Sequence, residues 1–155
     1  MAQTVNQLKL YDRDFVAWCE DTVAKLRAHD IEGLDFDSLI EEIEGLAGRD
    51  KREVVSRLDV LLVHLLKRIY VASPYDYRGW ENTIAEQRRE LNTLLKQSPS
   101  LKHYFVEVFD DGWQYALKRV RKDYPDVKFP EKWQFSREIE ALLDQEFWLA
   151  AEDLE

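Results

Sequence analysis

Apolar residues recur at three- and four-residue steps along most of this chain, which is the spacing of one face of an α-helix. Such stripes predict helices over Tyr11–His29 and Ser38–Val71, two more over residues 80–97 and 101–124, and a short one over 136–148. No alternating run is long enough to predict a strand. We therefore expect an all-α fold, an antiparallel four-helix-type bundle with a short C-terminal helix and an irregular aromatic tail.

The second stripe is the longest, and the continuity of its helix is open. Gly45 and Gly48 fall inside it, and each costs about 1 kcal/mol relative to alanine in a helix. The helix is therefore either unbroken or kinked and split at these glycines. The stripe consists of Ile40, Ile43, Val54, Val55, Leu58, Leu61, Leu62, Leu65, Leu66 and Ile69, and that of the first helix of Phe15, Trp18, Cys19, Thr22, Val23 and Leu26.

Composition narrows the class of protein. The 155 residues fit one domain, 1–155, and the 31 acidic against 22 basic residues give a net charge of −9. This charge disfavours nucleic-acid binding and suits a basic partner.

Cys19 is the single cysteine, which excludes an intramolecular disulfide and fits a reducing cytosol. The first residues lack a signal-peptide pattern and no apolar run could span a membrane, so we expect a soluble cytoplasmic protein.

Several blocks of the sequence together resemble the family called domain of unknown function 29, found chiefly in cyanobacteria. They are "YDRDFVAW", "LIEEIEGLAGRDKREVVSRLDVLLVHLLK", "TIAEQRREL", "SPSL" and the late "EFW", and they cover nearly the whole chain. The resemblance implies a helical bundle from a bacterial, cytoplasmic source. It implies no activity, since the family is named for lacking one.

The segment "LIEEIEGL" suggests metal chemistry, because all-α nucleotide pyrophosphohydrolases carry Glu-Glu-x-x-Glu on a helix. Glutamates one turn apart can hold one Mg²⁺ together. Glu41 and Glu42 match that motif, but its fifth position is Gly45, and Glu44 comes one residue early. The metal interpretation therefore uses Glu41, Glu44 and Asp59 as ligands of Mg²⁺.

The same glutamates also have structural interpretations. Ser38-x-x-Glu41 reads as a capping box, in which Ser38 caps the helix and Glu41 reaches back to its amide. Glu42 is expected in solvent. In an unbroken helix Glu44 lies within about 30–40° of the centre of the apolar stripe; if a glycine breaks the helix, Glu44 lies at the border of the local apolar face. A carboxylate inside a bundle needs a partner.

Arg88 is the candidate partner, because it shares a stripe with apolar residues of the third helix while Arg89 turns away. Asp14 similarly flanks the apolar face of the first helix. The candidate polar cluster is thus Glu44, Arg88, Asp14 and Glu41. It either fixes helix register through ion pairs or forms a pocket for a small ligand or ion.

The sequence contains no complete catalytic constellation, and whether the protein is an enzyme stays uncertain. We expect a non-catalytic protein-interaction or regulatory module that binds itself or another protein. Trp133 and Trp148 in the tail are expected to form an exposed patch for that partner. No cofactor is expected; the alternative, a nucleotide pyrophosphohydrolase-like enzyme using Glu41 and Glu44, requires Mg²⁺.

Overall fold

The computed structural model describes residues 9–152, and within that range the chain forms helices and no strand. The predicted all-α class is confirmed. None of these helices combines the length and the apolar character needed to cross a membrane. The helices are α1 (Leu10–Arg13), α2 (Phe15–Arg27), α3 (Phe36–Tyr70), α4 (Pro74–Gln97), α5 (Leu101–Asp123), α6 (Ile139–Asp144) and α7 (Phe147–Glu152).

The chain divides into two compact units, Met1–Gly48 and Arg49–Glu155. The described part of the first, residues 9–48, is called unit 1 and contains α1, α2 and the first part of α3. The described part of the second, residues 49–152, is called unit 2 and contains the rest of α3 and all later helices.

Helix α3 is unbroken at Gly45 and Gly48, which decides between the two predicted alternatives. A Cβ atom added at Gly45 would contact nothing within 4 Å, so no close packing requires glycine there. The apolar stripe therefore keeps one phase along the whole helix, and the direction of each α3 side chain follows from its sequence position.

The core of unit 2 is built from the second half of α3, the inward faces of α4 and α5, and side chains of α6 and α7. These side chains recur at helical spacing and exclude water almost completely. At Gly112 a Cβ would lie 3.5 Å from the side chains of Leu58 and Leu62 and 3.2 Å from Oδ1 of Asp59, so α5 approaches α3 closely. The most buried members of this core include Leu58, Leu61, Leu62, Leu65, Leu66, Ile84, Leu91, Phe105, Leu117, Leu142 and Phe147.

Three predicted helix boundaries are wrong. The first helix is interrupted at Asp14, whose backbone is extended and whose carboxylate accepts a hydrogen bond from the Ala17 amide, 3.1 Å away, so a new helix starts there. The third begins at Pro74 instead of Trp80, because proline suits the first turn of a helix. The single predicted tail helix is two six-residue helices, α6 and α7.

The predicted exposed patch of Trp133 and Trp148 is also wrong. Trp148 is 6% exposed, and its ring lies 5.2 Å from the Arg68 guanidinium. Trp133 is half-buried in an aromatic cluster, because the irregular tail packs onto α5: Nε1 of Trp113 donates to the carbonyl of Glu131, 2.9 Å away. The rings around Trp133 are those of Phe109, Trp113, Phe135 and Phe147.

Candidate interaction surface

The interior of unit 1 is small and is organised around Trp18 and Tyr11. Trp18 is 5% exposed, and its ring meets that of Tyr11 edge-on with centroids 4.7 Å apart. The Tyr11 hydroxyl donates to Oε2 of Glu42 at 2.5 Å, and this bond raises the pKa of Tyr11 to about 12. Glu42, expected in solvent, is instead half-buried and joins α1 to α3.

Replacing Tyr11 with phenylalanine is expected to loosen unit 1 selectively, because it removes the hydroxyl that bonds Glu42 and leaves the ring contacts in place. Hydrogen exchange followed by mass spectrometry should show amide exchange faster by roughly two- to fivefold in peptides of unit 1 and unchanged in unit 2. The control is Tyr75→Phe, at a side chain 97% exposed in unit 2. Equal effects of both variants would contradict the assignment.

Asp35, and not Ser38, caps α3. The helix begins at Phe36, and the Asp35 carboxylate accepts hydrogen bonds from the Ser38 amide at 3.3 Å and from the Ser38 hydroxyl at 2.6 Å. These bonds hold the pKa of Asp35 below its ordinary value. The predicted capping box is therefore wrong, because its serine lies one turn inside the helix; Glu41 is exposed.

Unit 1 is distinguished by the apolar side chains it leaves open to solvent. Of the thirteen large hydrophobic residues that are exposed within the described part of the chain, nine belong to it. Large contiguous apolar patches are uncommon on monomeric proteins and are a common feature of interaction sites. The nine are Phe15, Val16, Val23, Leu26, Ile31, Phe36, Ile40, Ile43 and Leu46.

The clearest exposed face lies on the first turns of α3. Phe36, Ile40 and Ile43 follow each other at steps of four and three residues and are exposed by 50%, 52% and 57%. At about 100° per residue they share one face of the helix. This set is called the α3 stripe. Helix α2 presents a second apolar face, half of the stripe predicted for it, through Phe15, Val23 and Leu26.

Glu44 lies beside the α3 stripe, about 80° around the helix from Phe36. That part of the helix faces solvent, and Glu44 is exposed. Its carboxylate is hydrated and needs no buried partner to offset a desolvation cost.

Arg88 has the predicted inward position in unit 2. It is 9% exposed, whereas the side chain of Arg89 is 76% exposed. Its Nε donates to the carbonyl of Leu142 at 2.9 Å and its Nη2 to the carbonyl of Gln145 at 2.6 Å. These carbonyls lie at the C-terminal end of α6, where helical hydrogen bonds run out. Arg88 thus holds α6 against α4 and borders a cleft of about 480 Å³ that includes Asp144.

Asp59 lies in unit 2 on α3, where burial raises its pKa from 3.8 to about 6. It borders a pocket of about 140 Å³ together with His64, Lys67 and Tyr115. Nδ1 of His64 lies 2.8 Å from the carbonyl oxygen of Val60, and burial lowers the pKa of this histidine. Asp59 is therefore a partly desolvated carboxylate beside a small cavity.

The remaining predicted site residues fall into separate local roles. Asp14 caps α2, and Glu41 and Glu44 are exposed on unit 1. Within residues 9–152, no group of three or more His, Cys, Asp or Glu side chains is arranged to hold a metal ion. Sequence reasoning missed the exposure of the α3 stripe, because helical spacing identifies a face without showing whether another element covers it.

Comparison with known proteins identifies the family of this chain. No curated protein and no solved structure matches it significantly. The family described as "domain of unknown function DUF29" matches residues 10–148, which is nearly the whole chain. This protein therefore belongs to the DUF29 family.

Proposed function

We propose that this protein is a non-catalytic protein-interaction module and that unit 1 carries its binding surface. The observation behind the proposal is the concentration of nine exposed large hydrophobic side chains in residues 9–48. Covering half-exposed side chains of this size stabilises a complex through burial of apolar surface, at about 25 cal/mol per Å². The α3 stripe supplies three of them on one face, which suits docking along the helix.

The test compares capture by the wild-type chain with capture by a variant whose α3 stripe is polar. The variant is Phe36→Ser with Ile40→Ser and Ile43→Ser, and its matched control is Tyr75→Ser with Val106→Ser and Leu149→Ser, exposed positions of unit 2. In pull-downs from a lysate of the source organism, we expect a partner retained by wild type and control to be lost, by about tenfold or more, with the stripe variant.

Circular dichroism of each variant should show unchanged helix content, because all six positions are exposed. Capture that is the same for the stripe variant and the control would contradict the proposal, and so would the absence of any protein that depends on the stripe.

The same proposal includes three finer features expected from the sequence: the helical scaffold, the cellular location and the kind of partner. It takes the antiparallel four-helix arrangement as the scaffold, supported by the core that α3, α4 and α5 share in unit 2. It takes the cytoplasm as the location, supported by the single cysteine. A second copy of the chain and a different protein are the two kinds of partner that it allows.

The Mg²⁺-dependent alternative gains no comparable support. Glu41 and Glu44 are exposed side chains of unit 1, whereas Asp59 lies beside its own small pocket in unit 2. Catalytic Mg²⁺ sites need converging oxygen ligands and a place for the substrate phosphates. The geometry therefore favours the interaction module.

A further inference from the structure

The charge of the chain is concentrated in the same part as its exposed apolar side chains. Residues 1–48 contain eleven acidic and four basic side chains, a net charge of −7 out of −9 for the whole protein. Residues 49–155 contain twenty acidic and eighteen basic ones and are almost neutral. A binding surface on unit 1 therefore attracts positively charged partners and repels negative ones.

Exposed carboxylates lie along one side of the α3 stripe, where they can pair with the positive charges of such a partner. Asp37, Glu41 and Glu44 are exposed and lie on one side of the α3 stripe, about 80–140° around the helix from Phe36. On the other side of the stripe lies Glu42, which is half-buried and accepts a hydrogen bond from the Tyr11 hydroxyl. The open flank of the stripe is thus acidic, and a partner lying on the stripe brings its own edge against these three carboxylates.

The α3 stripe favours a helical partner segment over an extended one. Within residues 9–152 there is no strand whose edge could pair with an extended segment. An extended peptide on the α3 stripe would leave main-chain groups without protein partners, whereas a helix satisfies them internally.

We propose that unit 1 binds a basic amphipathic helix of a partner protein, with the apolar face of that helix on the α3 stripe and its lysine or arginine side chains against Asp37, Glu41 and Glu44. This inference rests on the proposed function and names the class of partner. A second copy of the chain is disfavoured as occupant, because it would bring another seven negative charges to the same surface.

The test uses designed peptides of about 18 residues, long enough for a helical segment. One carries leucines on a single helical face and lysines elsewhere. A second replaces every lysine with glutamate, and a third keeps the basic composition but scatters the leucines around the helix. Fluorescence anisotropy gives the affinity of the full chain for each, and isotope-labelled protein shows by NMR which residues respond.

We expect the basic amphipathic peptide to bind about tenfold or more tightly than either control, and less tightly as salt is raised. NMR shifts should fall in residues 10–48. The serine variant of the α3 stripe should lose the preference over the scattered peptide, while the control variant of unit 2 keeps it. Reversing three charges, with Asp37→Lys, Glu41→Lys and Glu44→Lys, should switch the preference to the glutamate peptide.

Equal binding of the basic amphipathic and scattered peptides, or a response confined to unit 2, would overturn the inference. So would a dimer, seen by light scattering, that the serine variant dissolves, since a second copy would then be the occupant. If the peptide fails but the stripe variant still loses its lysate partner, only the class of partner is wrong. If both fail, the proposed function falls as well.

Discussion

Arg88→Met is expected to lower the free energy of unfolding by about 2–4 kcal/mol. Methionine keeps an apolar stem of similar length but removes the donors to the carbonyls of Leu142 and Gln145. The bond to Leu142 is buried and the bond to Gln145 is partly buried, and a carbonyl that loses its donor away from water bears a desolvation cost. Chemical denaturation followed by circular dichroism measures the change.

The neighbouring arginine provides the control. Arg89→Met removes the same group from a side chain that is 76% exposed, and its effect should stay within about 0.5 kcal/mol. Hydrogen exchange should locate the loss in Arg88→Met, with faster exchange in residues 139–148. Equal stability of the two variants would show that the guanidinium of Arg88 does not hold α6.

Asp59→Asn is expected to raise the free energy of unfolding, in contrast to Arg88→Met, by an amount that depends on pH. Burial raises the pKa of Asp59 to about 6 in the folded chain, from 3.8 in the unfolded one, so the folded state binds the proton more tightly. The stability contribution of Asp59 is therefore greatest below pH 4 and is lost as pH rises through about 6. Asparagine keeps the shape and carries no charge.

At pH 7.5 the variant should be more stable by about 1 kcal/mol, a value reduced from the full shift because the carboxylate is partly solvated. At this chain length that corresponds to a melting temperature higher by roughly 2–4 °C. Below pH 4 the two proteins should melt together. Asp111→Asn, at an exposed position of α5, is the control and should change neither value. A pH-independent effect of Asp59→Asn would contradict the titration.

At Arg88, side-chain spacing predicted the inward position of the residue but not its hydrogen-bond partners. Its place in the stripe of α4 predicted an inward position, which the structure confirms. The expected partner was the Glu44 carboxylate, whereas within unit 2 the guanidinium donates to two main-chain carbonyls, 54 and 57 residues downstream. Every residue type carries such a carbonyl, so no pattern of side chains could have identified them.

Glu44 and Asp14 show two other limits. The phase of α3 placed Glu44 near the apolar stripe, but periodicity does not say that one half of a stripe is buried and the other open. At Asp14 the signal was present and was missed: aspartate is a preferred N-cap, and here it starts α2. Local chemistry could have found that boundary, whereas the exposure of unit 1 required the tertiary structure.

The dependence of α6 on Arg88 also sets an order of events during folding. Helices of six residues, such as α6 and α7, are too short to be stable alone in water, because nucleation costs more than so few hydrogen bonds return. The longer α3, α4 and α5 can form first, and the guanidinium of Arg88 stays hydrated until the last part of the chain reaches it. We therefore expect the C-terminal segment to be the last to fold and the first to detach on unfolding.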